Sequence, residues 1–110
     1  MWEGETDVIA GMTQTTFNGH LDTIANAIMT DLGVPVMWCK LHQLLSYNVS
    51  TINAAITEAW GDNTNVLTGP DLSTLISDNT DGLGVHLMIP TNLRDAGTLW
   101  WNAIKTAFGW

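Results

Sequence analysis

Apolar residues recur along much of this chain at steps of three and four, the spacing that gathers side chains on one face of a helix. The first such stripe is Val8, Met12, Phe17, Leu21, Ile24, Ile28 and Leu32. It predicts helix from Thr6, a fitting N-cap ahead of Asp7, to Leu32, with Gly33 as the stop. Asn18-Gly19 interrupts this stripe and is itself a turn signal, so a break or kink is expected there. Val34-Pro35 resets the chain, because a residue before proline avoids the helical region. Met37, Trp38, Leu41, Leu44 and Leu45 then suit a second helix, although the Met-Trp-Cys start also fits a short buried strand.

A third stripe, Ile52, Ala55, Ile56 and Ala59, runs from a cap at Asn48 or Ser50 through Trp60 and closes at Gly61. The run from Asp62 to Asn65 is a loop by composition. Gly69-Pro70-Asp71 reads as the start of a short helix to about Ser77, with Pro70 in its first position. A stretch rich in Asn, Asp and Gly follows. Val85 to Ile89 then reads as a short strand ended by Pro90, with Val66-Leu67 as its candidate partner. Thr91 or Asn92 caps a last helix to about Phe108, in which Leu93, Ala96, Leu99, Trp100, Ala103, Ile104, Ala107 and Phe108 share a broad face. No repeat at a solenoid period is visible. The expectation is a mainly α fold in one domain over residues 1–110: a small bundle of four to five helices with at most one short β-strand pair.

Composition changes this picture in one respect. Apolar residues make up 45% of the chain, as in folded proteins, yet charged residues make up only 13%, about half the usual share. Neutral side chains, chiefly 15 Thr and 9 Asn, supply the polar surface instead. Such groups do not repel neighbouring copies as charges do, and they desolvate at lower cost when a partner docks. The net charge is −8, with Lys40, Arg94 and Lys105 scattered among 11 acids. Nucleic-acid binding requires a basic stripe that displaces counterions, so nucleic acid is not an expected partner, and neither is anionic lipid. The start Met1-Trp2-Glu3-Gly4-Glu5 lacks the basic and apolar regions of a signal peptide. No window holds the ~18 uninterrupted apolar residues of a spanning helix.

Candidate chemistry is thin. Cys39 and His42 stand at C-x-x-H spacing, and His20 and His86 would be needed to complete a zinc set, which normally shows two such pairs. A buried thiol beside a histidine explains the spacing better. Cys39 as nucleophile, with one of these histidines as base, lacks the positive surroundings that activate a thiolate. The Asp62–Asn65 and Asp78–Gly82 runs offer oxygen ligands but miss the spacing of a calcium loop, and Asx turns account for them. Gly82-Leu83-Gly84 is too short for a phosphate loop. Asn48-Val49-Ser50 is a formal glycosylation sequon of a kind expected by chance. No catalytic residue, cofactor or metal site is therefore assigned.

The strongest constellation is aromatic. Trp100, Trp101, Phe108 and Trp110 fall in the last eleven of 110 residues. Adjacent tryptophans on a helix point about 100° apart, so Trp100 and Trp101 cannot share one narrow core stripe. Trp100 joins the apolar face, Trp101 looks to the flank, and Trp2 supplies an anchor near the other end. Tryptophan is enriched at interface hot spots and at membrane interfaces. Trp2, Trp100, Trp101, Phe108 and Trp110 are the expected interaction residues. The leading expectation is a non-enzymatic structural subunit of a multi-protein assembly, such as a minor component of a virus or phage particle, with other protein subunits as partners. The alternatives are a membrane-interface accessory protein anchored by its C-terminal helix, and a small enzyme built on Cys39 and a histidine.

Overall fold

A computed structural model of the chain describes residues 4–77, 87 and 90–110. After a short helix α1 (Glu5–Ile9), the chain turns at Gly11, whose φ of +70° only glycine adopts without strain. Thr13 then caps α2 (Gln14–Leu32), its hydroxyl accepting the Thr16 N–H at 3.2 Å, and the left-handed Gly33 ends it. The Val34-Pro35 reset leads into strand β1 (Val36–Lys40). Helix α3 (Ser50–Asp62) crosses over to strand β2 (Val66–Asp71), which pairs with β1 in parallel. A parallel pair needs such a crossover, and α3 supplies it. Helix α4 (Pro90–Phe108) begins with proline in the first turn, where a missing N–H costs nothing.

The sheet lies between two helical layers. Val36 and Trp38 of β1 join Phe17, Leu21 and Ala25 of α2 and Ile52, Ala55, Ile56 and Ala59 of α3 in the larger core. Successive strand residues point to opposite faces, so Cys39 enters the second core, with Leu72, Leu87 and Ala96. Leu99 and Trp100 of α4 pack against this second cluster.

Close approach of the strands depends on Gly69. Val36, Met37 and Trp38 lie opposite Val66, Leu67 and Thr68, but Lys40 lies opposite Asp71, so β2 carries an extra residue at Gly69-Pro70. A Cβ on Gly69 would sit 1.9 Å from the Trp38 carbonyl oxygen. That carbonyl also accepts the Trp60 indole N–H at 2.9 Å, which pins α3 to the strand.

The architecture is mixed α/β, which corrects the expected helix bundle. The Met37–Leu45 periodicity belongs to a strand and the irregular chain after it, since a strand buried on both faces shows no alternation to set against a helical count. Pro70 lies in an edge strand, where its missing N–H is tolerated, and begins no helix. Val66-Leu67 pair with β1; their expected partner, Val85 to Ile89, lies outside the described residues except Leu87. Helix α2 runs unbroken through Asn18-Gly19, and the interruption falls at Gly11 instead.

Candidate interaction site

Helix α4 is built with two unlike apolar faces. At 100° per residue, Ala96, Leu99 and Ala103 share the side that meets the sheet, while Gly97, Trp101, Ile104 and Phe108 fall within about 60° of one another on the outer side. The spacing of this outer stripe, four, three and four, is that of helix seams that seat in a groove or against another helix. Ala96 is the one fully buried residue of α4 among those described. Trp100 is partly buried at the margin of the second core, and from Trp101 onward every side chain reaches solvent.

The C-terminal turn gathers the aromatics. Gly109 adopts φ +71°, and the Trp110 N–H donates to the Lys105 carbonyl at 3.0 Å. This is a Schellman closure, with glycine at the left-handed position and the following residue folded back on the last turn. It brings Trp110 to 5.8 Å from the Phe108 ring and 6.4 Å from the Trp101 ring, centroid to centroid, in tilted arrangements. The Lys105 ammonium lies 5.7 Å from the Trp101 ring centroid, within cation–π range. The three rings are nonetheless open to water: Trp101 is 52% exposed, Phe108 57% and Trp110 76%.

That exposure is a measurable liability. With about 200 Å² per aromatic side chain, the three together leave about 370 Å² of largely apolar surface in water. At about 25 cal/mol per Å², burying it releases roughly 9 kcal/mol, comparable to the entropy lost when two proteins associate.

Two clefts flank the same half-helix. One, of about 460 Å³, runs between β2 and α4 and is lined by Leu67, Gly69, Pro70, Ala103, Thr106 and Ala107 among others. Small residues on both walls keep it open. The other, of about 430 Å³, is bounded by Asn102, Lys105, Thr106, Gly109 and Trp110. Apart from Lys105 their polar borders are neutral, and the Thr106 hydroxyl already donates to the Asn102 carbonyl at 3.0 Å. Thr23, Thr30, Thr57 and Thr98 bond back to the preceding turn of their helices in the same way. Hydroxyls satisfied internally lose little when a partner displaces water.

The other residues singled out by sequence are dispersed. Trp2 and His86 lie outside the described residues, as does the Asp78–Gly82 run. Cys39 and His42 are each only 1% exposed, out of reach of a substrate, while His20 sits on the exposed side of α2. Among the described residues no three His, Cys, Asp or Glu side chains converge as metal ligands. In the Asp62–Asn65 loop, the Asn63 side-chain oxygen accepts the Asn65 N–H at 2.9 Å, and its amide donates to Asp22 at 2.7 Å. No described helix is long and apolar enough to cross a membrane.

Sequence reasoning missed the β2–α4 cleft and the Gly109 closure. The first was hidden because Gly69-Pro70 reads as a helix start. The second had a signal in Phe108-Gly109-Trp110, glycine flanked by apolar residues at a helix end. Compared with protein-family models, curated proteins and solved structures, the chain matches none.

Proposed function

We propose that this chain is an interaction subunit of a multi-protein assembly, docking onto another protein through the outer face of the C-terminal half of α4. The observation that carries this reading is the exposed cluster of Trp101, Phe108 and Trp110, held in one arrangement by the Gly109 turn. A preformed aromatic anchor loses little conformational entropy on binding, the property that makes such residues hot spots. The charge deficit and the net charge of −8 favour a protein partner over nucleic acid or anionic lipid. The Thr- and Asn-rich, charge-poor surface is in keeping with a component of a virus or phage particle. Burial of Cys39 and His42 weighs against chemistry at that pair.

The test is site-specific photo-crosslinking in the native source, with the reactive group at position 101 or 108 and, as control, at the exposed Thr23 of α2. Protein adducts at 101 and 108 but not at 23 are expected. Adducts to lipid alone, or none, would overturn the reading.

A further inference from the structure

The outer stripe of α4 has a size pattern that bears on what it can meet. Along it, Gly97, Trp101, Ile104 and Phe108 alternate in seam positions, with the smallest residue at one end and a large ring at the other. In an antiparallel helix pair, seam positions of one type face those of the other. Two copies of α4 laid antiparallel would set Gly97 against the Phe108 ring of the second copy, and Trp101 against its Ile104. Large residues then fill the space left by small ones in both halves, as a two-fold axis requires. A parallel pair would instead oppose Phe108 to Phe108 and leave a gap at Gly97. The open space around Gly97, where an added Cβ would meet nothing within 4 Å, leaves room for that ring.

Charge distribution favours the same occupant. Residues 90–110 carry Arg94 and Lys105 against the single acid Asp95, while the other ten acids and one base lie in residues 1–89. Asp95 is already paired with Arg94 at 3.1 Å. The stripe contains no carboxylate, so it is a face on which two strongly acidic chains can meet without opposing like charges. The exposed rings of Trp101, Phe108 and Trp110 from two copies come to about 740 Å², below the roughly 1,200 Å² buried by small specific interfaces, which fits a weak and reversible pairing.

Resting on the docking face proposed above, we infer that a second copy of this chain occupies it, α4 packing antiparallel on α4 about a two-fold axis. Sedimentation of the purified chain should show reversible growth from the 12.0 kDa monomer towards twice that mass, with half-association at roughly 10–100 µM. The discriminating variant is Gly97→Leu. It adds apolar surface and helix propensity, so unspecific stickiness would strengthen association; the antiparallel register instead predicts at least a tenfold weaker dimer. Trp101→Ala should weaken it comparably, and circular dichroism of both variants should keep the wild-type helical signal. Constant monomer mass up to about 1 mM, or a Gly97→Leu chain that associates as well as or better than wild type, would overturn the inference. Crosslinks from position 101 to a different protein, with no dimer of the purified chain, would overturn self-pairing while leaving the docking face in place.

Discussion

Asn53 and Leu41 exchange two hydrogen bonds: the Asn53 side-chain oxygen accepts the Leu41 N–H at 2.7 Å, and its amide donates to the Leu41 carbonyl at 3.0 Å. A side chain of α3 thus stands where a third strand would, closing the backbone just past the end of β1. Both residues are buried, so water cannot replace either bond. Asn53→Ala should lower stability by about 2–4 kcal/mol, the cost of leaving a buried donor and acceptor unmet; urea unfolding measures it. Asn53→Asp keeps the acceptor but turns a second oxygen towards the Leu41 carbonyl. Its stability should rise on acidification, since the protonated acid regains a donor.

Gly69 and Gly19 should respond in opposite directions to the same change. Gly69→Ala drives a Cβ into the Trp38 carbonyl and must part the strands at the bulge; a loss of about 3 kcal/mol or more is expected. Gly19→Ala lies inside α2 facing open space, and should raise stability by about 0.5–1 kcal/mol through helix propensity. Paired thermal melts decide both.

The Lys40–Asp71 pair, 2.9 Å apart, bridges the ends of the two strands, and Lys40 also lies 5.2 Å from the Trp60 ring centroid. Burial pushes the Asp71 carboxyl up, but hydrogen bonds from Ser73 and Lys40 outweigh it and hold the group below its ordinary value. A carboxylate so lowered contributes stability in full above its unfolded value, and that contribution is lost as pH falls through the folded one. Asp71→Asn should therefore destabilise at neutral pH, begin to converge with wild type below about pH 4, and meet it only below the lowered folded value. The difference should stay within ~1 kcal/mol, because the carboxylate is about half exposed and the pair is screened.

At the end of α4, Gly109→Ala should cost about 1 kcal/mol at a left-handed position, whereas Gly109→Asn should be tolerated better. The informative readout is the Trp101–Trp110 ring pair. Exciton coupling in circular dichroism should fade in the alanine variant and persist in the asparagine one, and the urea midpoint should fall only by the amount that a loss of about 1 kcal/mol sets.

Helices α2, α3 and α4 were legible in the sequence because each buries one face and leaves the other wet, so the 3.6-residue period survives. The strands were only half legible: Met37-Trp38-Cys39 fits strand as well as helix, and Val66-Leu67 reads as strand but with another partner, since Trp38 and Cys39 enter different cores and apolar residues occupy both sides of β1. Asn18-Gly19 misled for a tertiary reason: the Asn18 amide donates to the Ala55 carbonyl of α3 at 3.3 Å, which rewards the helix for continuing. The divergence of Trp100 and Trp101 followed from helical geometry alone. Which residues fold back to meet Trp101 depended on the single left-handed Gly109, a local event that no periodicity records.

The docking role of α4 is tested most directly by the size of the native complex formed by wild type and by the Trp101→Ala/Phe108→Ala double variant. Both side chains are about half exposed and none of their partners lies in the two cores, so the variant should stay folded with a loss of about 1–3 kcal/mol by urea unfolding. Wild type should then elute from its source in a complex well above 12.0 kDa, and the folded double variant should elute free of it. A double variant that remains in the same complex, at the same abundance, would contradict the assignment.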